Sequence, residues 1–128
     1  MAEQYLGGCT VMAFVGVSDA ARAREFYGGK LGLTLVSEEL PFALVYDANG
    51  TMLRVTMVGK PVTAGYTVLG WRVPSAVNAV TALLQAGVEF ERYEGLQQDE
   101  LGIWTAPGGT KVAWFNDPDG NTLSVSEH

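Results

Sequence analysis

Residue types that do chemistry are scarce in this 128-residue chain, which holds one histidine, His128, and one cysteine, Cys9. The densest polar group is Asp117-Pro118-Asp119-Gly120-Asn121, whose carboxylates are spaced like a fragment of a calcium loop. An EF-hand loop needs its glycine at the sharp turn and a bidentate glutamate at its end. Here the glycine is misplaced and no glutamate closes the loop, so the group reads as turn chemistry. Ser124 has no candidate histidine neighbour to activate it as a nucleophile, because His128 is the terminal residue. The remaining candidates are Arg54 and Arg72, each set in an apolar run. A guanidinium there must meet a carboxylate, water or an anionic ligand.

The elements that would position these residues are read from periodicity. Lys111–Phe115 and Thr122–Ser126 alternate apolar and polar residues around the Asp-rich cluster and predict a β-hairpin. A degenerate copy runs from Val45 to Val55 around Asp47-Ala48-Asn49-Gly50, so the chain reads as two copies of one module. In the first, Val11–Val17 is a strand and Ser18-Asp19 caps a helix with Ala20, Ala23, Phe26, Tyr27 and Leu31 inward. That helix fades at Gly28-Gly29, and strands follow over Leu33–Glu38, Phe42–Tyr46 and Thr51–Val58. A link over 59–66 precedes the second copy. There Thr67–Val73 is a strand, Pro74-Ser75 starts a helix buried through Ala76, Val77, Val80, Leu83 and Leu84, and Gly87 ends it. Val88–Tyr93 is the next strand, and the hairpin closes the module. The modules span about 10–58 and 67–126 of a single domain. The large departure from symmetry is Glu94–Gly109, which carries Trp104 and is either the rim of a cavity or an ordinary surface loop.

Composition limits the partners. Eight Lys and Arg oppose fourteen Asp and Glu, giving −6, and the basic residues form no run, which argues against nucleic acid and anionic membranes. A hydrophobic share of 48% suits one compact core. The lone cysteine, the start Met1-Ala2-Glu3-Gln4 without a basic leader, and a longest apolar run of only Cys9–Val17 predict a soluble, cytoplasmic protein.

The paired modules, Glu25-Phe26-Tyr27 followed by Leu31-Gly32-Leu33, and Phe115-Asn116-Asp117-Pro118-Asp119-Gly120-Asn121 together resemble the vicinal oxygen chelate superfamily. This group includes glyoxalase I, extradiol dioxygenases and bleomycin-resistance proteins. The resemblance covers roughly Thr10 to Ser126. It implies an α+β fold: two tandem βαβββ modules forming an open, U-shaped, eight-stranded mixed sheet around a cavity, with helices outside, commonly as a homodimer. It also implies that the metal enzymes' ligand positions fall at Met12, Arg54, Val68 and Ser124. None of these suits a divalent metal, and a fixed guanidinium would repel one.

Strand alternation, with Arg54 and Ser124 set inward, places Met12, Phe14, Val45, Thr56, Val68, Arg72 and Trp114 on the same cavity face, with Trp104 from the insertion nearby. Tyr46, Phe115, Leu69, Trp71 and Val73 then point to the helices. Either arginine meets a protein carboxylate such as Glu38, Glu89 or Asp99, or it holds an anionic group of a ligand whose flat part is clasped by aromatic rings. The leading expectation is a small-molecule-binding protein without metal or other cofactor, sequestering or carrying an aromatic or anionic molecule. The alternative is a metal-independent lyase or isomerase, which requires a cavity base that the inward set lacks. A metal-dependent glyoxalase or dioxygenase with ligands displaced to Asp99 or Glu100 ranks third.

Overall fold

A computed structural model describes residues 5–128; the reading of Met1–Gln4 lies outside them. After a 3-10 turn at Tyr5–Gly8, the first module runs β1 (Met12–Val17), α1 (Ala20–Ala23), β2 (Thr34–Glu39), β3 (Ala43–Ala48) and β4 (Thr51–Met57). The second runs β5 (Leu69–Arg72), α2 (Ala76–Gln85), β6 (Trp104–Thr105), β7 (Lys111–Asn116) and β8 (Thr122–Glu127). Each module hydrogen-bonds as a sheet of its own, in the orders β1-β4-β3-β2 and β5-β8-β7-β6, with the first pair parallel and the others antiparallel. The fold is the expected α+β arrangement of open, mixed sheets.

Both helices start as their sequences require. Asp19 and Ser75 adopt the same extended backbone, and each side chain accepts from the N–H three residues on, Arg22 and Asn78 respectively. Their later courses differ. Beyond Ala23 the first helix widens into a π-helix over Arg24–Lys30, with Leu31 N–H reaching back to Phe26 O at 2.9 Å. This carries it past the expected stop at Gly28-Gly29 and accommodates its extra residue relative to α2. Gly87, at φ 94°, closes α2 in the left-handed conformation.

The expected strand over Val88–Tyr93 does not form. Phe90 makes one bridge to Phe115 and Glu91 N–H donates to Trp114 O at 2.8 Å, after which the chain leaves the sheet. It returns as β6, where Trp104 pairs with Val112 and Thr105 with Lys111. The departing backbone is satisfied by a side chain: Gln98 accepts from Tyr93 N–H at 2.7 Å and donates to Glu91 O at 2.9 Å. The apolar alternation of Val88–Tyr93 is genuine, but a local side-chain partner outcompetes the ladder.

One core joins the modules. Val15, Val17, Leu44, Tyr46, Leu53 and Val55 from the first sheet share a buried cluster with Phe115, Leu123 and Val125 from the second. The first helix bridges them: Phe26 lies 6.3 Å from Phe115 and Tyr27 lies 6.4 Å from Tyr46, measured between ring centroids.

Candidate functional site

The strand registers fix which side chains share the helix-free faces. In the first sheet Phe14, Arg54 and Val45 are lateral neighbours, as are Gly16, Thr56 and Ala43, with Met12 beside Met52. In the second, Gly70, Ser124 and Trp114 form one row, and Arg72, Ser126 and Val112 the next. Val68 lies just before β5, its N–H bonded to Thr122 O at 2.9 Å. Within each sheet these rows follow period-two alternation. The face in the first module is open to solvent, with Met12 44% and Phe14 60% exposed.

Arg54 meets a protein carboxylate, but not one of those expected. Its guanidinium donates to Glu39 Oε1 at 3.0 Å, while Glu38 pairs with Arg24 on the first helix. Glu39 lies beside Ala43, in register with the row that holds Thr56. The arginine is therefore neutralised from within its own sheet. Ser124 is buried, and a Cβ on Gly70 would come within 2.9 Å of its hydroxyl, so glycine is what lets β5 and β8 pair closely here.

The second module's face carries an aromatic group. Trp114 lies 6.0 Å from Trp104 and 5.4 Å from Tyr93, the latter edge-on at 74°. Burial, reinforced by the Glu91 charge, raises the Tyr93 pKa and keeps its phenol neutral. The insertion that supplies Trp104 is tightly built. Gln98 also donates to Gly102 O, Asp99 Oδ1 accepts from Leu101 and Ile103 N–H, and Arg92 donates to the Asp99 and Glu100 carbonyls. A cleft of about 430 Å³ runs along Gln98, Trp104 and Thr105, and one of about 400 Å³ along Met12, Val45 and Met52.

Two further groupings lie outside the expected site residues. Asp117 is buried and accepts four hydrogen bonds: from Asp119 N–H at 3.0 Å, Asn121 N–H at 2.9 Å, Asn121 Nδ2 at 2.8 Å and Tyr27 OH at 2.7 Å. Asn121 Nδ2 also donates to Gly16 O at 2.8 Å, and Asp119 accepts from the Ser18 backbone and hydroxyl. The hairpin turn of the second module thus bolts onto the strand and helix of the first. Burial, then the Asp117 charge and hydrogen bond, drive the Tyr27 pKa far up. The other grouping is at the end of the chain, where His128 Nε2 lies 3.1 Å from the Ser126 hydroxyl, in the row of Arg72. Period-two alternation puts 124, 126 and 128 on one face, which was the available signal. Among the described residues, no group of three or more His, Cys, Asp or Glu is placed to hold a metal ion. No helix among them is long and apolar enough to cross a membrane.

Two repeated βαβββ units, joined through one core and each presenting a helix-free face, make a two-module architecture. Residues 10–125 match the model of the Glyoxalase/Bleomycin resistance protein/Dioxygenase superfamily, and the chain belongs to that superfamily. It is similar in structure to a glyoxalase family protein from Enterococcus faecalis, with 21% identity, TM-score 0.72, and 94% of this chain and 98% of that one covered. A superfamily member from Sphaerobacter thermophilus shares 25% identity at TM-score 0.71, covering 94% and 98%. Lactoylglutathione lyase from Agrobacterium tumefaciens shares 16% at TM-score 0.71, covering 94% and 93%. No curated protein matches the chain. The fold itself carries many chemistries, so activity must be argued from the site.

Proposed function

We propose that this chain is a small-molecule-binding member of the superfamily that works without the metal, sequestering or carrying a planar aromatic ligand, including anionic ones. The observation that carries this reading is the Tyr93–Trp114–Trp104 group on the helix-free face of the second module. Rigid rings at these spacings offer a flat ligand both a face and an edge. Met12, Arg54, Val68 and Ser124, the positions that the resemblance assigns to metal, offer no imidazole or carboxylate. With Arg54 held by Glu39, Arg72 is the cation we assign to a ligand carboxylate, while Val45 and Thr56 flank Arg54 on the first module's own helix-free face. The exposure of Met12 and Phe14 supports a homodimer in which a second copy covers them.

Titration of 2-naphthoate, followed by tryptophan fluorescence, tests the reading. Trp114→Ala and Arg72→Ala should each weaken binding about tenfold, the effect of losing one ring contact or one charge-assisted bond. Arg54→Ala should bind within twofold of the parent. Equal affinity in all three variants would sink the proposal. Phe14→Asp should shift the sedimentation coefficient to that of a monomer.

One observation favours the enzyme alternative. His128 Nε2 lies 3.1 Å from Ser126 Oγ on the face that holds Arg72, within reach of a ligand there. It is the base that a metal-independent lyase or isomerase needs. Solvent deuterium entering a 2-oxo acid, lost in His128→Ala, would identify that activity.

A further inference from the structure

The two modules also differ on their helix-covered sides. On β1, Val15 and Val17 are 4% and 0% exposed, whereas Trp71 and Val73, their counterparts counted back from the helix caps, are only half-buried. Between α2 and this side of the second sheet lies an apolar hollow of about 250 Å³. Trp71, Phe115 and Val125 form its floor, and Ala79, Ala82 and Leu83 of α2 form its wall. The rings of Trp71 and Phe115 are stacked, 6.4 Å apart with 21° between their planes. Arg72 is the single charged residue along the lining.

The hollow has an internal control. Counted from the caps Asp19 and Ser75, the positions of Ala82 and Leu83 correspond to Phe26 and Tyr27 of the first helix. Both aromatics are in the core, Tyr27 beside Tyr46 of its own sheet and Phe26 against Phe115 of the other. The second helix, a regular α-helix, carries alanine and leucine at these positions, so no ring from α2 covers Trp71. The hollow is open on one side, with Ala82 exposed and Trp71, Val73 and Leu83 half-buried, so a ring seated in it would take apolar surface out of water.

We propose that this hollow is a ligand site for a neutral apolar molecule of one or two rings, on the helix-covered side of the second sheet, with Arg72 at its edge the one residue shared with the helix-free face. Its size matches such a ring system. Its side-chain lining offers almost nothing to the amides of a peptide, which would be buried without partners.

The test uses Trp104→Phe/Trp114→Phe, which leaves Trp71 as the sole tryptophan of the three. Nitrobenzene, a neutral quencher, should quench Trp71 saturably, while acrylamide quenches it linearly and benzoate fails to compete. Ala82→Phe and Ala79→Leu, added separately, should each weaken the nitrobenzene effect at least tenfold with sedimentation unchanged. In the parent chain, saturable shifts of the Leu31, Leu83 and Val125 methyl resonances should follow the same isotherm. Linear quenching, saturation that survives both filling substitutions, or benzoate binding as tightly as nitrobenzene would each overturn the assignment. So would a change of oligomeric state in both filling variants, which would make the hollow an interface between copies.

Discussion

The turns Asp47–Gly50 and Asp117–Asn121 occupy the same place in their modules and begin on the same residue type, yet they have diverged in role. In the first, Asn49 and Gly50 take φ of 51° and 97°, a two-residue turn of the kind that right-twisted hairpins favour, and Asp47 accepts from Gly50 N–H at 2.9 Å. That bond is local, and the residue is exposed. In the second, Asp117 is 5% exposed and gathers donors from its own turn and from Tyr27, ninety residues earlier. A buried carboxylate is tolerated because four donors replace its water. Repetition supplied the turn twice; burial against the other module turned one copy into a joint.

The comparison is most directly broken by removing both carboxylates. Asp117→Ala strands the Tyr27 hydroxyl and the turn N–H groups in the core, and at ~1–3 kcal/mol for each stranded group the loss should be on the order of 4 kcal/mol. Asp47→Ala gives up one solvent-exposed bond and should cost ~1 kcal/mol or less. Urea unfolding monitored by fluorescence measures both. Similar losses in the two variants would show that the second turn is no joint.

Tyr27→Phe sharpens the point at a smaller scale. It removes one hydrogen bond to a carboxylate, ~1.5–3 kcal/mol, and has a signature in pH. Because the folded Tyr27 pKa lies above the ordinary phenol value of 10.0, folded and unfolded chains both keep the proton below pH 10. Above it the unfolded chain ionises first, so stability falls as pH rises, by ~1.4 kcal/mol per pH unit for one such group. Tyr27→Phe should flatten the stability–pH curve above pH 10 by about that slope. The remaining decline would come from Tyr46 and Tyr93, whose pKa values burial also raises.

Much of this architecture is legible in the sequence because period-two alternation and helix caps are local signals. The caps Asp19 and Ser75, the β7–β8 hairpin and the shared face of Phe14, Arg54 and Val45 all follow from residues a few positions apart. What escapes is set by distant partners. Tyr27 reads as one more core aromatic until Asp117 arrives beside it. Val88–Tyr93 reads as a strand until Gln98 takes its backbone groups. Arg54 reads as needing either a protein carboxylate or a ligand anion, but Glu38 and Glu39 are adjacent in sequence, and only the pairing of Glu39 with Ala43 and of Ala43 with Thr56 selects Glu39.

The smallest expected effect isolates the joint from mere aromatic burial. Tyr46 sits beside Tyr27 in the same core, fully buried, but its hydroxyl has no hydrogen-bond partner among the described residues. It faces Gly28 of the first helix, where an added Cβ would stand 3.4 Å from that oxygen. A buried hydroxyl without a partner costs the chain its desolvation and returns nothing. Tyr46→Phe should therefore leave stability unchanged or raise it by up to ~1 kcal/mol, the opposite sign from Tyr27→Phe. Both substitutions delete one oxygen from one aromatic ring in one cluster, so their ring packing and lost area are alike. If the two variants lose the same stability, the Tyr27–Asp117 bond contributes nothing beyond the ring. If they differ in sign, the stabilisation belongs to the bond between modules.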